Sequence, residues 1–195
     1  MEPKKYGMGS STVRAHAWGD SPPPGALILD QARIFINRLN EMVEVDMVRR
    51  MDALESNKQL VTRYYEELLN EGRLDIVEDL FTAEFLAEQQ PEVGELRGRA
   101  AVEQAVTAYR EGFSDFHEDV VHLLAEGDLV AARFRFTGTH DGTFLKVEPT
   151  GRQVSMIGME IFRVENGKIA DVWYAEPLHE LFEQLGAISR VETGY

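Results

Sequence analysis

Apolar and polar residues alternate along much of the second half of the chain, and this period of two predicts a series of antiparallel strands. Residues 116–125 and 129–140 form two such runs, separated by a Glu-Gly-Asp turn. Two further runs flank Asn166 and Gly167, a pair that tolerates the positive φ angles of a tight hairpin turn. We therefore expect these two runs to pair antiparallel.

The hairpin turn also predicts a register for its two strands. A two-residue turn would place Glu160 opposite Trp173 and Met156 opposite Pro177. A carboxylate and an indole would then share one face of the sheet. Both faces of this hairpin are apolar, so the pattern alone does not identify the face that lines a pocket.

Apolar residues at three- and four-residue spacing predict amphipathic helices in the rest of the chain. These helices cover residues 26–55, 57–70, 74–81 and 99–110 and a closing segment that ends at Gly186. Ser56 and Gln59 have the spacing of a capping box, so we expect one helix to end and the next to begin there. Residues 85–98 contain Gln, Pro and Gly and are predicted to form a loop at the rim of a pocket.

The order of these elements predicts an α+β fold, with helices packed on a mixed or antiparallel sheet. A length of 195 residues fits one domain with an extension. We expect a flexible arm over 1–25, a helical extension over 26–55, the main domain over 56–188 and a short tail over 189–195. The apolar face of the extension is expected to pack in a dimer or to cover the domain.

Composition and charge narrow the classes of function. The formal net charge of −14 argues against nucleic acid and against an anionic membrane surface as partners. The chain has no cysteine, which excludes disulfides and thiolate catalysis. The three histidines at 117, 122 and 179 lack the spacing of zinc ligands, so no metal is expected. The N-terminus has no apolar run of the kind found in signal peptides, and a cytoplasmic location is expected.

Several short motifs occur in an order that resembles one known family. They are GTHDG, PTGR, an apolar strand ending in IFR, ENGKI, a Trp and QLG. In this order they resemble the SnoaL-like polyketide cyclases, which have the cone fold of nuclear transport factor-like proteins. The likeness covers about residues 57–188. It implies a cone-shaped α+β barrel in which a curved sheet is roofed by helices around a cavity.

The resemblance also implies a mechanism that needs no cofactor. In the family, a carboxylate four residues after the Trp removes a proton from an activated carbon, and an internal aldol reaction closes a ring. The corresponding position here is Pro177, which cannot ionise. Three alternatives follow: Glu176 takes the role from the adjacent position, Glu160 takes it from the neighbouring strand, or no general base is used.

Other residues are candidates for binding the substrate. His140 ends the apolar face of its strand, and it would either donate a hydrogen bond to a substrate carbonyl or fix the following turn. An ion pair with an arginine such as Arg163 or Arg99, or a position at the surface, is the structural alternative for Glu160. The candidates for shaping the pocket are Trp173, Tyr64, Tyr65, Phe134, Phe136 and Met156.

The sequence thus favours a cofactor-independent cyclase or isomerase that acts on an apolar, polyketide-like intermediate. Proton transfer by a glutamate and folding of the substrate by the shape of the cavity are the two mechanisms considered. A binding or assembly module without turnover is the alternative class, and an epoxide-opening hydrolase is a further one. We expect a homo-oligomer, either a dimer or a tetramer.

Overall fold

A computed structural model describes residues 24–88 and 96–188, with side chains described over 29–87 and 96–188. The chain divides into two compact units, Met1–Asp46 and Met47–Tyr195. The predicted arm is described only from Pro24 onward. The predicted tail at 189–195 and the central part of the predicted rim loop lie outside the described residues.

The first helix is longer than its sequence pattern predicts. Helix α1 spans Pro24–Arg63 and continues directly as a π-helical stretch, Tyr64–Asn70. The helix boundary predicted at Ser56 is therefore wrong. A capping box is only a local preference, and the apolar spacing on both sides of Ser56 sustains one helix through it.

The apolar residues of α1 differ in burial along the helix. Leu60 and Val61 are buried in the core of the second unit, together with Tyr64, Tyr65 and Leu68 of the π-helical stretch. Earlier in the helix the large apolar side chains are exposed: Leu29, Ile34, Phe35, Ile36, Leu39, Met42, Val43, Val45, Met47, Val48 and Met51. The predicted amphipathic helix is present, and its predicted role in an oligomer stays a prediction.

The second unit is built on a six-stranded sheet with the order β2-β1-β6-β5-β4-β3. The strands are β1 (Phe81–Glu88), β2 (Leu96–Arg97), β3 (His117–Glu126), β4 (Leu129–Thr139), β5 (Gln153–Glu165) and β6 (Lys168–Ala175). β1 runs parallel to β6, and every other neighbouring pair is antiparallel. The predicted mixed sheet is confirmed. β1 begins at the last residue of the helix predicted at 74–81, and β1 and β2 occupy part of the predicted rim loop.

A β-bulge in β6 changes the predicted hairpin register. The pairing of Val164 with Ile169 near the turn agrees with a two-residue turn, but Arg163 then pairs with Asp171. Ala170 is the additional residue on β6. Beyond the bulge, Glu160 lies opposite Tyr174, so the predicted pairing of Glu160 with Trp173 is wrong. A shift of one residue also exchanges the two faces of the strand.

Short helices cover the face of the sheet that carries the core. A 3₁₀ turn at Leu74–Ile76 leads into α2 (Val77–Leu80), and α3 (Arg99–Gly112) and α4 (Leu178–Leu185) follow later in the chain. The π-helical stretch packs against β3, α3 packs against β1 and β2, and α4 packs against β5. None of the helices in the described part of the chain is both long and apolar enough to cross a membrane.

The buried face of the sheet follows a strict alternation in its central strands. Along β4 the even-numbered residues from Val130 to Gly138 are buried, and along β5 the even-numbered residues from Val154 to Val164 are buried. Aromatic side chains dominate this core, which includes Tyr65, Phe113, Phe134, Phe136 and Phe162. Because Glu160 is an even-numbered residue of β5, the same alternation places its carboxyl group in the core.

Candidate active site

An open cavity lies between α3 and the end of β6. Its volume is about 190 Å³. Most of its lining side chains are apolar: Leu96, Ala101, Ala105, Ala108, Phe144, Leu145 and Leu178. The remaining lining residues are Gln104, Tyr109, Tyr174 and Glu176. We call it the outer cavity. Its composition suits an apolar molecule with a few polar groups.

Glu176 is the carboxyl group on the wall of the outer cavity. Burial raises the pKa of Glu176 to about 7, while a hydrogen bond from Tyr109 acts to lower it. The Tyr109 hydroxyl donates this bond to Glu176 Oε2 over 3.4 Å. A carboxyl group with a pKa near the ambient pH is suited to accept and return a proton.

The bulge at Ala170 explains why Glu176 reaches the cavity. Beyond the bulge, Val172 is buried and Tyr174 contributes to the cavity lining, so the even-numbered residues of β6 face inward. Glu176 follows Tyr174 with the same parity, just after the last residue of β6. Pro177 then forms the N-cap of α4 and ends the strand.

A second, smaller cavity lies deeper in the domain, and we call it the inner cavity. Its volume is about 50 Å³. It shares five lining residues with the outer cavity: Leu96, Ala105, Tyr109, Tyr174 and Glu176. Glu118, Glu160 and Tyr64 also line it. Three carboxyl groups therefore border one small space, and Glu176 borders both cavities.

Glu160 is held in the inner cavity by a tyrosine. Its side chain is only 3% exposed. The Tyr65 hydroxyl donates a short hydrogen bond to Glu160 Oε2. Burial and the nearby Glu176 raise the pKa of Glu160 well above its usual range, and the hydrogen bonds from Tyr65 and Tyr64 oppose this effect. Burial thus favours the neutral form of this carboxyl group, and the phenol partners favour the charged form.

The arginines that were structural alternatives for Glu160 have other partners. Arg163 forms ion pairs with Asp171 and Glu165. Arg99 pairs with Glu78 at 3.3 Å and donates to the Phe81 carbonyl. The partner of Glu160 is thus a phenol.

Glu118 is a buried carboxyl group that the sequence analysis did not identify. It is 8% exposed, and its Oε2 atom has no hydrogen-bond partner within the described part of the chain. Burial raises the pKa of Glu118 well above its usual range, and Glu160 and Glu176 add to this increase. The Asn70 side chain fixes the Glu118 backbone by bonds of 2.8 and 2.9 Å to its N–H and carbonyl groups. No local signal was available, because the register at the 127–128 turn would pair Glu118 with Thr137, and the bulge between Val120 and His122 moves it opposite Phe136.

His140 lies outside the two cavity linings among the described residues. It is fully buried, and the Thr150 N–H donates to its Nδ1 atom over 3.2 Å. The Thr150 hydroxyl contacts the same atom at 3.0 Å, and the ring packs on Phe113 at 5.3 Å. Burial lowers the pKa of His140 and so favours the neutral imidazole. These contacts favour the structural alternative, in which His140 anchors the loop between β4 and β5.

The candidate pocket residues occupy different places. Tyr64 lines the inner cavity, and Tyr65 donates a hydrogen bond to Glu160, which also lines it. Phe134, Phe136 and Met156 are buried on the same face but, within the described residues, are absent from the lining of either cavity. Trp173 is partly buried and points to the opposite side of β6, while Tyr174 takes the inward position. Tyr109 and Tyr174 are site residues that the sequence analysis missed.

The described residues contain no cluster of three or more His, Asp or Glu side chains arranged to hold a metal ion. The site thus consists of the apolar outer cavity, with Glu176 on its wall, and the inner cavity, which Glu118 and Glu160 also line. The chemistry that these groups support is proton transfer to and from a bound organic molecule.

Comparison with known proteins identifies the family. The SnoaL-like polyketide cyclase family matches residues 59–185. The chain belongs to this family. The aklanonic acid methyl ester cyclase DnrD of Streptomyces peucetius is 30% identical over 133 residues, which cover 66% of this chain and 80% of DnrD. The cyclase DauD of Streptomyces sp. strain C5 is also 30% identical over 133 residues, covering 66% of this chain and 72% of DauD.

Solved structures support the same assignment. TsrD from Streptomyces laurentii superimposes with a TM-score of 0.62 at 28% identity, covering 69% of this chain and 97% of TsrD. The predicted family and the predicted cone-type α+β fold are both confirmed for this SnoaL-like chain.

Proposed function

We propose that this SnoaL-like protein closes a ring in a polyketide-like ester by an intramolecular aldol reaction, with Glu176 as the general base. The observation that carries the proposal is the position of Glu176 on the wall shared by both cavities, together with its pKa of about 7. The catalysis needs no cofactor, because the carbon between two carbonyl groups is acidic enough for a carboxylate to deprotonate.

The reaction balances with one carboxyl group. Glu176 takes a proton from the carbon between the two carbonyls, and the resulting enolate attacks a ketone carbon elsewhere in the same molecule. A new carbon–carbon bond forms while the ketone C=O π bond becomes an alkoxide. The alkoxide then receives the proton from Glu176, so the carboxylate is regenerated. Tyr109 donates to Glu176 and is placed to keep its carboxylate oriented.

The wall of the outer cavity supports an apolar substrate. Most of its lining residues are aliphatic or aromatic, which suits the fused carbon skeleton of a polyketide. DnrD and DauD are named for aklanonic acid methyl ester, and we propose a substrate of that class for this chain. Holding the chain of the substrate in a folded shape adds to the rate by proximity.

The change from the usual family position to Glu176 has a local explanation. Pro177 occupies the position that the family resemblance assigns to the carboxylate. The bulge at Ala170 turns Tyr174 inward and Trp173 outward, and the following inward position is Glu176. The proline at position 177 removes the family carboxylate, and the shift in register brings the adjacent carboxyl group of Glu176 to the cavity in its place.

The alternatives make different demands on the site. Epoxide opening with an arginine between two carboxylates finds no support at Glu160, because Tyr65 is its partner and Arg163 pairs with Asp171. An open cavity with a poised carboxyl group also favours turnover over a binding module. Ring closure by shape alone is the outcome that remains if the carboxyl group proves dispensable.

The direct test is the turnover of aklanonic acid methyl ester by purified wild-type and variant proteins, followed by liquid chromatography and mass spectrometry. Glu176→Gln should lower kcat by about 10²- to 10⁴-fold, since an amide cannot accept the proton. Glu180→Gln is the matched control, because Glu180 is exposed on α4 and should keep full activity. Undiminished turnover by Glu176→Gln would rule out the general base and leave shape templating.

A further inference from the structure

The inner cavity contains an unsatisfied polar atom. Glu118 Oε2 is buried and has no hydrogen-bond partner among residues 24–88 and 96–188, although the side chain lines a space of about 50 Å³. Buried polar atoms in folded proteins almost always have a partner, and leaving one without a partner is costly. We therefore expect the missing partner of Glu118 to come from outside the described residues.

The size of the inner cavity limits what can fill it. A volume of about 50 Å³ holds a small substituent or one or two water molecules, but no ring. The outer cavity, at about 190 Å³, is large enough for the apolar body of a ligand. Five lining residues are common to both, so a molecule in the outer cavity can extend a substituent into the inner one.

The groups around the inner cavity define the chemistry of that substituent. An anionic group would meet Glu118, Glu160 and Glu176, and an apolar group would leave Glu118 Oε2 unsatisfied. The phenol hydroxyls of Tyr65 and Tyr109 already donate to Glu160 and Glu176. A hydroxyl group both donates and accepts, so it can pair with Glu118 in either of its protonation states.

We propose that the inner cavity is a polar subsite that binds a hydroxyl substituent of the substrate through Glu118. This inference deepens the proposed function and rests on it, because it specifies a hydroxylated molecule as the ligand of the same site. Glu118 acts as a specificity-determining residue here and takes no part in the proton transfer assigned to Glu176. The apolar body of the ligand occupies the outer cavity, and its hydroxyl oxygen lies within hydrogen-bond distance of Glu118.

The experiment compares two probes that differ only in that a methyl group replaces the hydroxyl hydrogen in one of them. The dissociation constants of 2-naphthol and 2-methoxynaphthalene are measured by isothermal titration calorimetry at pH 7. Wild-type protein should bind 2-naphthol at least about tenfold more tightly, which is the effect of one hydrogen bond to a carboxyl group. In Glu118→Leu the two probes should bind about equally, with the affinity for 2-methoxynaphthalene kept or improved.

Matched variants separate this effect from a change in the fold. Glu118→Gln keeps an acceptor oxygen and should retain most of the preference for 2-naphthol. Glu126→Gln changes an exposed glutamate of the same strand and should behave as wild type. Thermal unfolding checks that each variant is folded, and Glu118→Met replaces Glu118→Leu if the latter does not fold.

The proposal is overturned if the wild type binds both probes with equal affinity, since the inner cavity would then hold only water. It is also overturned if the leucine or methionine variant keeps the preference, or if neither probe binds to the wild type. The assay needs no turnover, so it is independent of the general base. Glu176→Gln should retain the preference for 2-naphthol whatever its activity is. A loss of activity in this variant would support the proposed function, and full activity would refute it, without changing the preference.

Discussion

The Tyr65 hydroxyl donates a hydrogen bond to the Glu160 carboxyl group inside the core of the domain. Tyr65 is fully buried and comes from the π-helical stretch, whereas Glu160 comes from the middle of β5. The bond therefore joins the helical layer to the sheet at the deep end of the inner cavity. π-helical turns are frequent at functional sites. In this one the rings of Tyr64 and Tyr65 pack edge to face, with their centroids 5.0 Å apart.

Removing the Tyr65 hydroxyl should destabilise the protein. In Tyr65→Phe the buried Glu160 carboxyl group loses its donor, and we expect a decrease of about 1–3 kcal/mol in the free energy of unfolding. Urea denaturation at pH 7 measures this change. In a Glu160→Leu background the same substitution should be neutral or stabilising, because the tyrosine hydroxyl then lacks an acceptor. An equal loss in both backgrounds would show that the bond contributes nothing.

Replacing Glu118 should stabilise the protein in a manner that depends on pH. The pKa of Glu118 is raised in the folded state above its ordinary value of 4.5, so the folded carboxyl group holds its proton to higher pH than the unfolded one. Folding stability then falls as the pH rises above 4.5. Glu118→Gln removes this penalty, and it should be more stable than wild type by about 1–3 kcal/mol at pH 8.

The control for this prediction is the pH at which the gain disappears. Below pH 4.5 both states of Glu118 are protonated, so wild type and Glu118→Gln should differ little in urea denaturation. Glu126→Gln, at an exposed position of β3, should show no such dependence. A constant difference between wild type and Glu118→Gln across the whole pH range would contradict the assignment of a raised pKa.

The pH profile of the reaction should report Glu176. Its carboxylate is the active form, so kcat/KM should rise with pH through a midpoint of about 7 and then level off. The hydrogen bond from Tyr109 favours the carboxylate. Tyr109→Phe should therefore move the midpoint upward, by roughly half a pH unit to one unit. Tyr65→Phe, which removes a hydroxyl from Glu160 instead, should shift the midpoint much less. A downward shift in Tyr109→Phe would contradict the assignment.

The exposed apolar side chains of α1 predict self-association. Large apolar patches on a helix are unusual unless another surface covers them. Wild-type protein should sediment as a dimer or tetramer at micromolar concentration, and Leu39→Glu should weaken the association by at least about tenfold. Asn40→Glu adds the same charge at an exposed polar position and is the control. A wild type that sediments as a monomer would refute this prediction.

Much of the domain could be predicted from local patterns in the sequence. The alternation along β4 identified the buried face of that strand, and Asn166 with Gly167 located the hairpin turn. These features follow from the pleat of a strand and from the φ angles of a turn, both of which are local. Both faces of β5 are apolar in the sequence, so the burial of Glu160 is established only by its pairing with Ala132 of β4.

The remaining features depend on contacts between distant residues. The bulge at Ala170 left no local signal, because Ala170 and its neighbours are as apolar as any other strand residues. β1 gains its hydrogen bonds from β6, far along the chain, so its pattern alone resembled a helix end and a loop. Glu118 likewise reaches the buried face through a bulge, between Val120 and His122, which pairs it with Phe136.

Deleting Ala175 would test whether the register of β6 determines the site. Without this residue, Glu176 would take the place of Ala175 opposite Met159, an exposed residue of β5. The Glu176 carboxyl group would then leave the cavity wall. We expect a fall in kcat similar to that of Glu176→Gln, with little loss of stability because Ala175 is itself exposed.

The control for the deletion is a substitution that keeps the number of residues in β6. Ala175→Gly retains the register, so it should keep the pH midpoint and most of the activity, with a loss of about 0.5–1 kcal/mol in stability from the greater freedom of glycine. Turnover and urea denaturation are measured for both variants. If the deletion variant folds and keeps the wild-type rate, then Glu176 is not the group that transfers the proton. Proton transfer would then have to be assigned to a group whose placement is insensitive to the register of β6.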